Sequence, residues 1–540
     1  MKPTQPGAKR VKRTKLQRLL QKRKPAPFPP DRFSSSLEEN IAEIRQRLGH
    51  NADFVTRRLI YAEQKAALFF FETLVDIKLL SEQVVDPLRA VSPGEGTSGV
   101  EVTDGGTGTS VGEGTAAGLM EEISLRIVLR ETHQVAAWNE AVSQLLQGYV
   151  LLLAEGETKG LLIDVKKVEK RGIDEPDTEQ SVIGPRESFV ENLTTNITLI
   201  RQRLRDPHLS VEEWRLTRRG SGRVALFYLA DVANPQIVQE VRSRLSRIDV
   251  DAIQGQLHLQ ELIHDNNFSL FPQMRPTERP DATCSYLLEG NLALMVDGGA
   301  HALIFPISFF QLLETVDDYY SSWQYATLIR FVRMLALLFS IVVPGLYLSL
   351  VAYNPELIPT RLVISMDAAR VKVALPIVVE IFVMELMIEV LREAGLKLPK
   401  PIGQAVSIVG GLVIGDASVN ANLVSPVTVV IVAFTAISSF TAPVYLLGVS
   451  FRILRFFLLL SSSMLGLYGF LLGLFLVHAH LARLVSFGVP YLAPLSPLRL
   501  GDWVDSIVRL SYKMLTSRPS FLKPLQRVKA LSTRVRPRRH

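Results

Sequence analysis

Residues 334–353 read MLALLFSIVVPGLYLSLVAY, a run without a single charged side chain. An α-helix needs about 20 such residues to cross roughly 30 Å of hydrocarbon, so this stretch predicts a membrane span. Working outward, three further apolar runs follow at 373–391, 423–449 and 456–481, whereas the residues before it read as an ordinary soluble protein. The expected fold is therefore an α/β cytoplasmic head in two subdomains followed by an α-helical multi-pass membrane domain.

Composition supports that division. The chain has 540 residues with 60 Lys and Arg against 53 Asp and Glu, a formal net charge of +7. Its mean hydropathy of +0.20 comes from the second half. Cys284 is the only cysteine, which excludes an internal disulfide framework and a cysteine-based metal site. Residues 1–32 form a basic tail with no apolar segment behind it, so they do not read as a cleavable signal peptide. Residues 485–540 form a second basic tail, without an acidic residue after Asp505. Basic flanks stay on the cytoplasmic side, and two such tails demand an even number of full spans. Against a membrane the expected partner of these cations is anionic lipid rather than nucleic acid.

Along the head, Leu37, Ile41, Ile44 and Leu48, then Leu59, Ala66, Phe69, Phe70 and Leu74, recur at helical spacing and predict a helical subdomain over 33–90. Residues 91–118 are rich in Gly, Ser and Thr and predict a flexible insert. Over 119–313 an α/β domain is expected: helix within 121–147, strands at 149–154 and 160–165, a buried strand at 224–229, and a helix opened by Asn234 and Pro235. Asp297 and Gly298 between two short apolar runs predict a hairpin over 292–306 rather than a span. Gly94, Gly96 and Gly99 spell GxGxxG without the strand and helix that a dinucleotide fingerprint requires. There is no Walker lysine and no HExxH, and His478 with His480 reads as an interfacial pair. The expectation is a non-enzyme with no catalytic residues, no metal and no cofactor.

Within the membrane part, Glu380, Glu385 and Glu389 interrupt an apolar run, and each must face protein or water. Glu385, Glu389 and Glu393 share one helix face. They either pair with Arg392, Lys397 or a neighbouring subunit's cations, or they form an acidic lining that attracts cations. Residues 401–424 are Gly-rich and weakly apolar, which at membrane depth requires burial in protein or contact with a water-filled path. As a helix they place Gln404, Ser407, Gly411 and Gly415 in one stripe bordered by Ile408 and Leu412. Such a narrow polar face beside apolar side chains suits a dewetting gate; close helix packing is the alternative. A second GxxxG, Gly469 and Gly473, reads as packing.

The string Thr277, Glu278, Arg279, Pro280, Asp281, followed by Leu288, Glu289, Gly290 and Val296, Asp297, Gly298, resembles the signature of the GerA/SpoVAF family. Asp317 to Tyr320, Ile402, Gly403 and Gln404, 409–415, 436–440 and 486–491 continue the likeness across about 120–500. The resemblance implies an A subunit of a spore germinant receptor in the spore inner membrane, with a transporter-like B subunit and a lipoprotein C subunit as partners. It also implies a homo-oligomeric ring that forms a nutrient-gated channel releasing monovalent cations. A SpoVAF-type paralogue that amplifies ion release, and a scaffold that conducts nothing, are the alternatives. A carrier would show two related halves, and no internal repeat is visible. The membrane domain, 314–484, is then expected to hold four full spans and a short re-entrant or pore-lining segment near 402–422. That topology places Arg452 and Arg455 at the outer end of a span, against the usual bias.

Overall fold

The computed structural model describes residues 31–49, 51–61, 64–89, 123–124, 127, 132–167, 176, 178–220, 222–399, 410–411 and 415–529. The chain divides into two compact units, Met1–Arg47 with Asp53–Val168 and Leu48–Ala52 with Glu169–His540. The basic segment 1–30, the Gly/Ser/Thr insert and its GxGxxG string lie outside the described residues.

In the first unit, helix α1 (Leu37–Leu48) is where the periodicity places it. The residues after it are not helical. They form β1 (Phe54–Tyr61) and β2 (Gln64–Phe71), paired antiparallel from Phe54 opposite Phe71 to Tyr61 opposite Gln64. Strand β2 is buried continuously from Ala66 to Phe71. A strand covered on both faces loses its alternation, and the apolar positions then mimic helical spacing by accident. Aromatic and β-branched side chains decide the outcome: the rings of Phe54 and Phe71 meet at 5.2 Å across the ladder. With β3 (Thr132–Val135), β4 (Tyr149–Ala154) and β5 (Gly160–Asp164) they make a five-stranded sheet in the order β1-β2-β4-β5-β3. That sheet joins 54–71 to 132–164, across the division expected near 119. Among the described residues of the stretch expected to be helical, 121–147, only α2 (Trp138–Leu145) is a helix of more than one turn.

The second unit contains α3 (Leu193–Arg203), β6 (Leu209–Arg215), β7 (Arg223–Leu229), α4 (Pro235–Leu245), α5 (Gln256–Ile263), β8 (Arg275–Thr277), α6 (Pro280–Glu289), β9 (Leu292–Val296) and β10 (Ala302–Phe305). Its sheet runs β6-β7-β9-β10-β8, antiparallel throughout. β9 and β10 are the hairpin expected around Asp297 and Gly298. Asn234 accepts the amide of Gln236 and Pro235 opens α4, as the cap pattern predicts. The head is thus α/β in content, with antiparallel sheets and helices packed on them.

A helical bundle grows from this unit: α7 (Trp323–Tyr353), α8 (Thr360–Arg370), α9 (Ile377–Lys397), α10 (Pro426–Ser439) and α11 (Tyr445–Arg483). By length and composition α7 and α11 are long and apolar enough to cross a membrane. The apolar run 423–449 is not one helix. It breaks between Phe440 and Val444, around Pro443, and Val444 is extended before α11 begins.

Helix α11 is a hairpin of two arms. Gly466 has φ 58 and ψ −136, a region essentially confined to glycine. A Cβ on Gly473 would lie 2.8 Å from Leu458 Cδ2, although in a straight helix these residues stand roughly 22 Å apart. Gly469 packs against the Ser461 carbonyl in the same way, so the second GxxxG is the crossing point of the two arms. Gly466→Ala would also drive its Cβ to 2.9 Å from Tyr353 Cβ. Strain of about 1–3 kcal/mol plus that clash should cut the amount of protein in the membrane fraction severalfold, as an immunoblot would show. Wild-type abundance would mean that α11 does not reverse there.

After α11 the chain returns to the head. Phe487, Val489, Ala493, Phe521 and Leu522 join the core formed by Leu292, Leu294, Leu303 and Phe305. The tail is therefore not a loose basic segment up to Lys529. Arg509 donates to the carbonyls of Ser321 (2.7 Å) and Tyr319 (3.2 Å), Arg518 to that of Leu288 (2.7 Å), and Lys529 pairs with Glu289. These cations, expected to face lipid, are consumed by the fold.

Candidate functional site

The bundle has a head end and a far end. Ser450 on the first arm of α11 donates to the Leu270 carbonyl (2.5 Å), and His480 on the second arm meets Ser269 Oγ (3.0 Å). Both arms therefore start and finish at the head. At the other end Gly466 lies against Tyr353, the last residue of α7. Arg452 and Arg455 consequently sit in the head-side half of the first arm, not at the end of the bundle remote from the head, where the expected topology put them.

Two ion pairs fix α9 against that arm. Arg455 Nη1 lies 2.6 Å from Glu385 Oε2, with both side chains almost wholly buried, and Arg452 Nη1 lies 2.6 Å from Glu389 Oε1. Glu389 also faces Arg392 at 3.9 Å, while Lys397 pairs with Glu393. At the far end Glu380 Oε1 accepts the amide of Ser425 (2.5 Å), and its other oxygen lies 3.7 Å from Arg370. All three intramembrane carboxylates thus have cations of their own chain. The sequence reading named Arg392 and missed Arg452 and Arg455; two arginines three apart on one apolar run, facing two glutamates four apart on another, were the available signal.

These contacts also set directions. Glu380 near the start of α9 meets Ser425 just before α10, and Arg392 near the end of α9 donates to Ser439 Oγ (2.7 Å) at the end of α10. Helices α9 and α10 are therefore parallel neighbours. Parallel neighbours need a connection that travels back their full length, here about 30 Å for the 21 residues of α9 at ~1.5 Å each. The chain that makes this return contains the Gly-rich stripe. Gln404, Ser407, Ile408 and Leu412 lie outside the described residues. Gly411 is exposed, and a Cβ there would meet nothing within 4 Å; one on Gly415 would meet Val429 at 3.7 Å.

The base of α7 is a second polar centre. Asp318 accepts both terminal nitrogens of Arg333 (3.1 Å each) and Nε of Arg330 (2.9 Å), and it caps Thr315 through the amide (3.1 Å) and hydroxyl (2.9 Å). Arg330 also donates to the Asp505 carbonyl of the tail.

The Thr277–Asp281 motif builds the adjoining surface of the head. Arg279 is fully buried and donates to Asp281 (3.1 and 3.0 Å) and to the carbonyls of Pro185 (2.7 Å) and Glu179 (3.2 Å). Thr277 donates to Glu179 (2.5 Å). Pro280 occupies the first turn of α6. Burial works to raise the Glu278 carboxyl, but His301 at 3.2 Å and Thr178 outweigh it and hold the group at about 2. The motif is a structural clasp that ties α6 to residues 179–185.

Beside it, α6, residues 311–320 and the tail enclose a cavity of about 450 Å³ whose walls include Arg275, Tyr286, Glu314, Tyr319 and Asp505. Burial pushes the Glu314 carboxyl from 4.5 up to about 8, with Arg330 opposing. In the unfolded chain this group ionises near 4.5, so between about pH 4.5 and 8 the folded state binds the extra proton and stability falls as pH rises. The thermal unfolding midpoint of the full chain in detergent should accordingly drop from pH 5 to 8.5. Glu314→Gln should flatten that slope; an unchanged slope would assign it to another group.

An antiparallel α/β head carrying an apolar helical bundle, its base stitched by buried arginine and carboxylate pairs, defines a class: a membrane protein with a large extramembrane head. Residues 42–521 match the family described as Bacillus/Clostridium GerA spore germination protein, and the chain belongs to that family. It is 36% identical over 503 residues to Spore germination protein KA of Bacillus subtilis (strain 168), covering 93% of this chain and 89% of that protein. It is 37% identical over 401 residues to an uncharacterized membrane protein, YfkQ, of the same organism, covering 74% and 77%. Among solved structures, the N-terminal domain of the A subunit of the Bacillus megaterium spore germinant receptor GerK3 is 26% identical, covers 52% of this chain and 97% of that one, and gives a TM-score of 0.38.

Proposed function

We propose that this chain is the A subunit of a spore germinant receptor in the spore inner membrane, acting with transporter-like B and lipoprotein C subunits. Several copies form a ring, and the Gly-rich return between α9 and α10 lines a path for monovalent cations that opens when nutrient is sensed. The observation that carries this reading is the parallel packing of α9 and α10. A Gly-rich, weakly apolar connection between helices that run in the same direction is stable at membrane depth only against protein or water. Counting it as a crossing gives a chain that leaves the head along α7, returns along α9, leaves along the Gly-rich segment, returns along α10, and goes out and back through α11. The path is even, as the docked tail requires. The paired Glu385 and Glu389 then serve as bundle ties, and the gate is the ring of Ile408 and Leu412 beside Gln404, Ser407, Gly411 and Gly415.

Leu412→Ala widens and wets such a constriction. Spores carrying it should lose potassium without nutrient, measured by flame photometry of the supernatant. Retention equal to wild type would remove Leu412 from the gate. Vesicles holding this chain alone, and vesicles holding it with the B and C subunits, should both pass cations once Leu412 is trimmed; flux only with partners present would favour a scaffold instead.

A further inference from the structure

Two loops of the head, far apart in sequence, carry apolar side chains into the open where the head meets the bundle. Phe268 is 98% exposed, in the otherwise polar stretch His264, Asp265, Asn266, Asn267. Its neighbours Ser269 and Leu270 are the residues tied to His480 and Ser450 at the bases of the α11 arms. Val182 and Ile183 are 84% and 68% exposed. They follow Ser181, whose hydroxyl donates to Asp317 (2.5 Å), and the Val182 amide donates to the same carboxylate (3.2 Å), directly before α7. Residues 178–181 also line a cleft with Ile329 and Val332 of α7. Single exposed apolar residues are ordinary on a soluble surface. Close along the chain to the tied positions Asp317 and Ser450 stand Trp323, Tyr325 and Tyr445, exposed aromatics at the bases of α7 and α11, and aromatic side chains at the ends of apolar helices mark a membrane interface.

We propose that the Val182–Ile183 and Phe268–Leu270 loops insert into the interfacial zone of the bilayer, so that the head rests on lipid instead of standing clear of it. The occupant is the membrane that the helices themselves enter, because the apolar outer surface of α7 and α11 begins beside these loops: Leu328 and Phe331, exposed on α7, flank Ile329 and Val332, which line a cleft with residues 178–181, and Ile453 and Phe475, exposed on α11, lie within two turns of Ser450 and His480. Moving such side chains out of water is favourable, which opposes any lifting of the head. The proposal rests on the reading of the bundle as membrane-spanning.

The test uses the full chain in phosphatidylethanolamine and phosphatidylglycerol vesicles. Cys284 is buried, and burial pushes its thiol up to about 12, so it stays silent and one introduced cysteine can be labelled with an environment-sensitive fluorophore. Phe268→Cys and Ile183→Cys report on the loops, and Leu338→Cys, exposed in the middle of α7, reports on the bundle. Labels at 268 and 183 should be quenched severalfold more by brominated acyl chains than by aqueous iodide. Quenching by iodide alone overturns the proposal, and so does quenching by neither, which would mean a protein covers the loops. If the label at 338 also escapes the brominated lipid, the membrane reading of the bundle fails; if only 268 and 183 escape it, the loop proposal fails by itself.

Discussion

Arg455→Met should remove most of the protein from spore membranes, Glu385→Gln should do nearly the same, and Glu385→Met combined with Arg455→Met should bring much of it back. The two groups are 2.6 Å apart with side chains 3% and 2% exposed. Removing one partner strands a buried charge and costs about 3–5 kcal/mol, whereas replacing both by apolar groups of similar volume is often neutral or stabilising. The second half of that rule applies here because the pair is incompletely satisfied: Glu385 Oε1 and Arg455 Nε have no hydrogen-bond partner among the described residues. Measured by immunoblot, the singles and the double form a cycle whose coupling isolates the pair. A double variant as depleted as either single would show that these side chains do more than neutralise each other. A double variant that accumulates but cannot germinate would give the pair a part in the germination response beyond holding the bundle together.

How far the sequence could be read depends on which signal each element carried. The span at 334–353 was legible because length and hydropathy are local properties; the run 456–481 was legible as apolar but not as the parts of two arms into which it divides at Gly466. The Asp297–Gly298 hairpin and the Asn234–Pro235 helix start were legible because turn and cap chemistry is written in adjacent residues. β2 was not, since a strand covered on both faces has no alternation to separate it from a helix, and β1, half-exposed along most of its length, shows no clean alternation either. The reversal at Gly466 was equally hidden: a glycine in a leucine-rich run reads as packing, and only the approach of Leu458 to Gly473 shows the turn.

The candidate site was legible in its acids and not in their partners. Glu380, Glu385 and Glu389 stand out because a carboxylate in an apolar run is costly, but their cations lie in other helices, and pairing across helices is a property of the fold. The same holds for the motif around Arg279. Its residues were visible as a string, while its role as a clasp depends on Glu179 and Pro185, about a hundred positions earlier. The tail was misjudged for a related reason. Arg509, Arg518 and Lys529 look like a basic surface until the carbonyls and carboxylate that receive them are known.

Asp318→Asn should be the most damaging isosteric change in the head. The carboxylate, 3% exposed on its side chain, takes three hydrogen bonds from Arg333 and Arg330 and two from Thr315. Asparagine keeps the shape and loses the charge, leaving two guanidinium groups in a site where Arg330 Nη2 already has no hydrogen-bond partner among the described residues. A loss of about 3–5 kcal/mol is expected, a large share of the 5–15 kcal/mol typical of a folded domain. Burial tends to raise the Asp318 carboxyl, but the Arg333 hydrogen bond and the nearby Arg330 charge prevail and hold it below its ordinary 3.8. A depressed carboxyl contributes stability above its unfolded pKa and forfeits it only as pH falls through the folded value, so this centre should be indifferent to pH across the neutral range in which Glu314 responds. Thermal unfolding of the Asp318→Asn chain in detergent, followed from pH 5 to 8, should show a midpoint lowered by a similar amount at every pH. A midpoint equal to wild type would mean that the arginines reach water or another acceptor. The base of α7 would then be held by the tail alone, through Arg330 on the Asp505 carbonyl and Arg509 on the carbonyls of Tyr319 and Ser321.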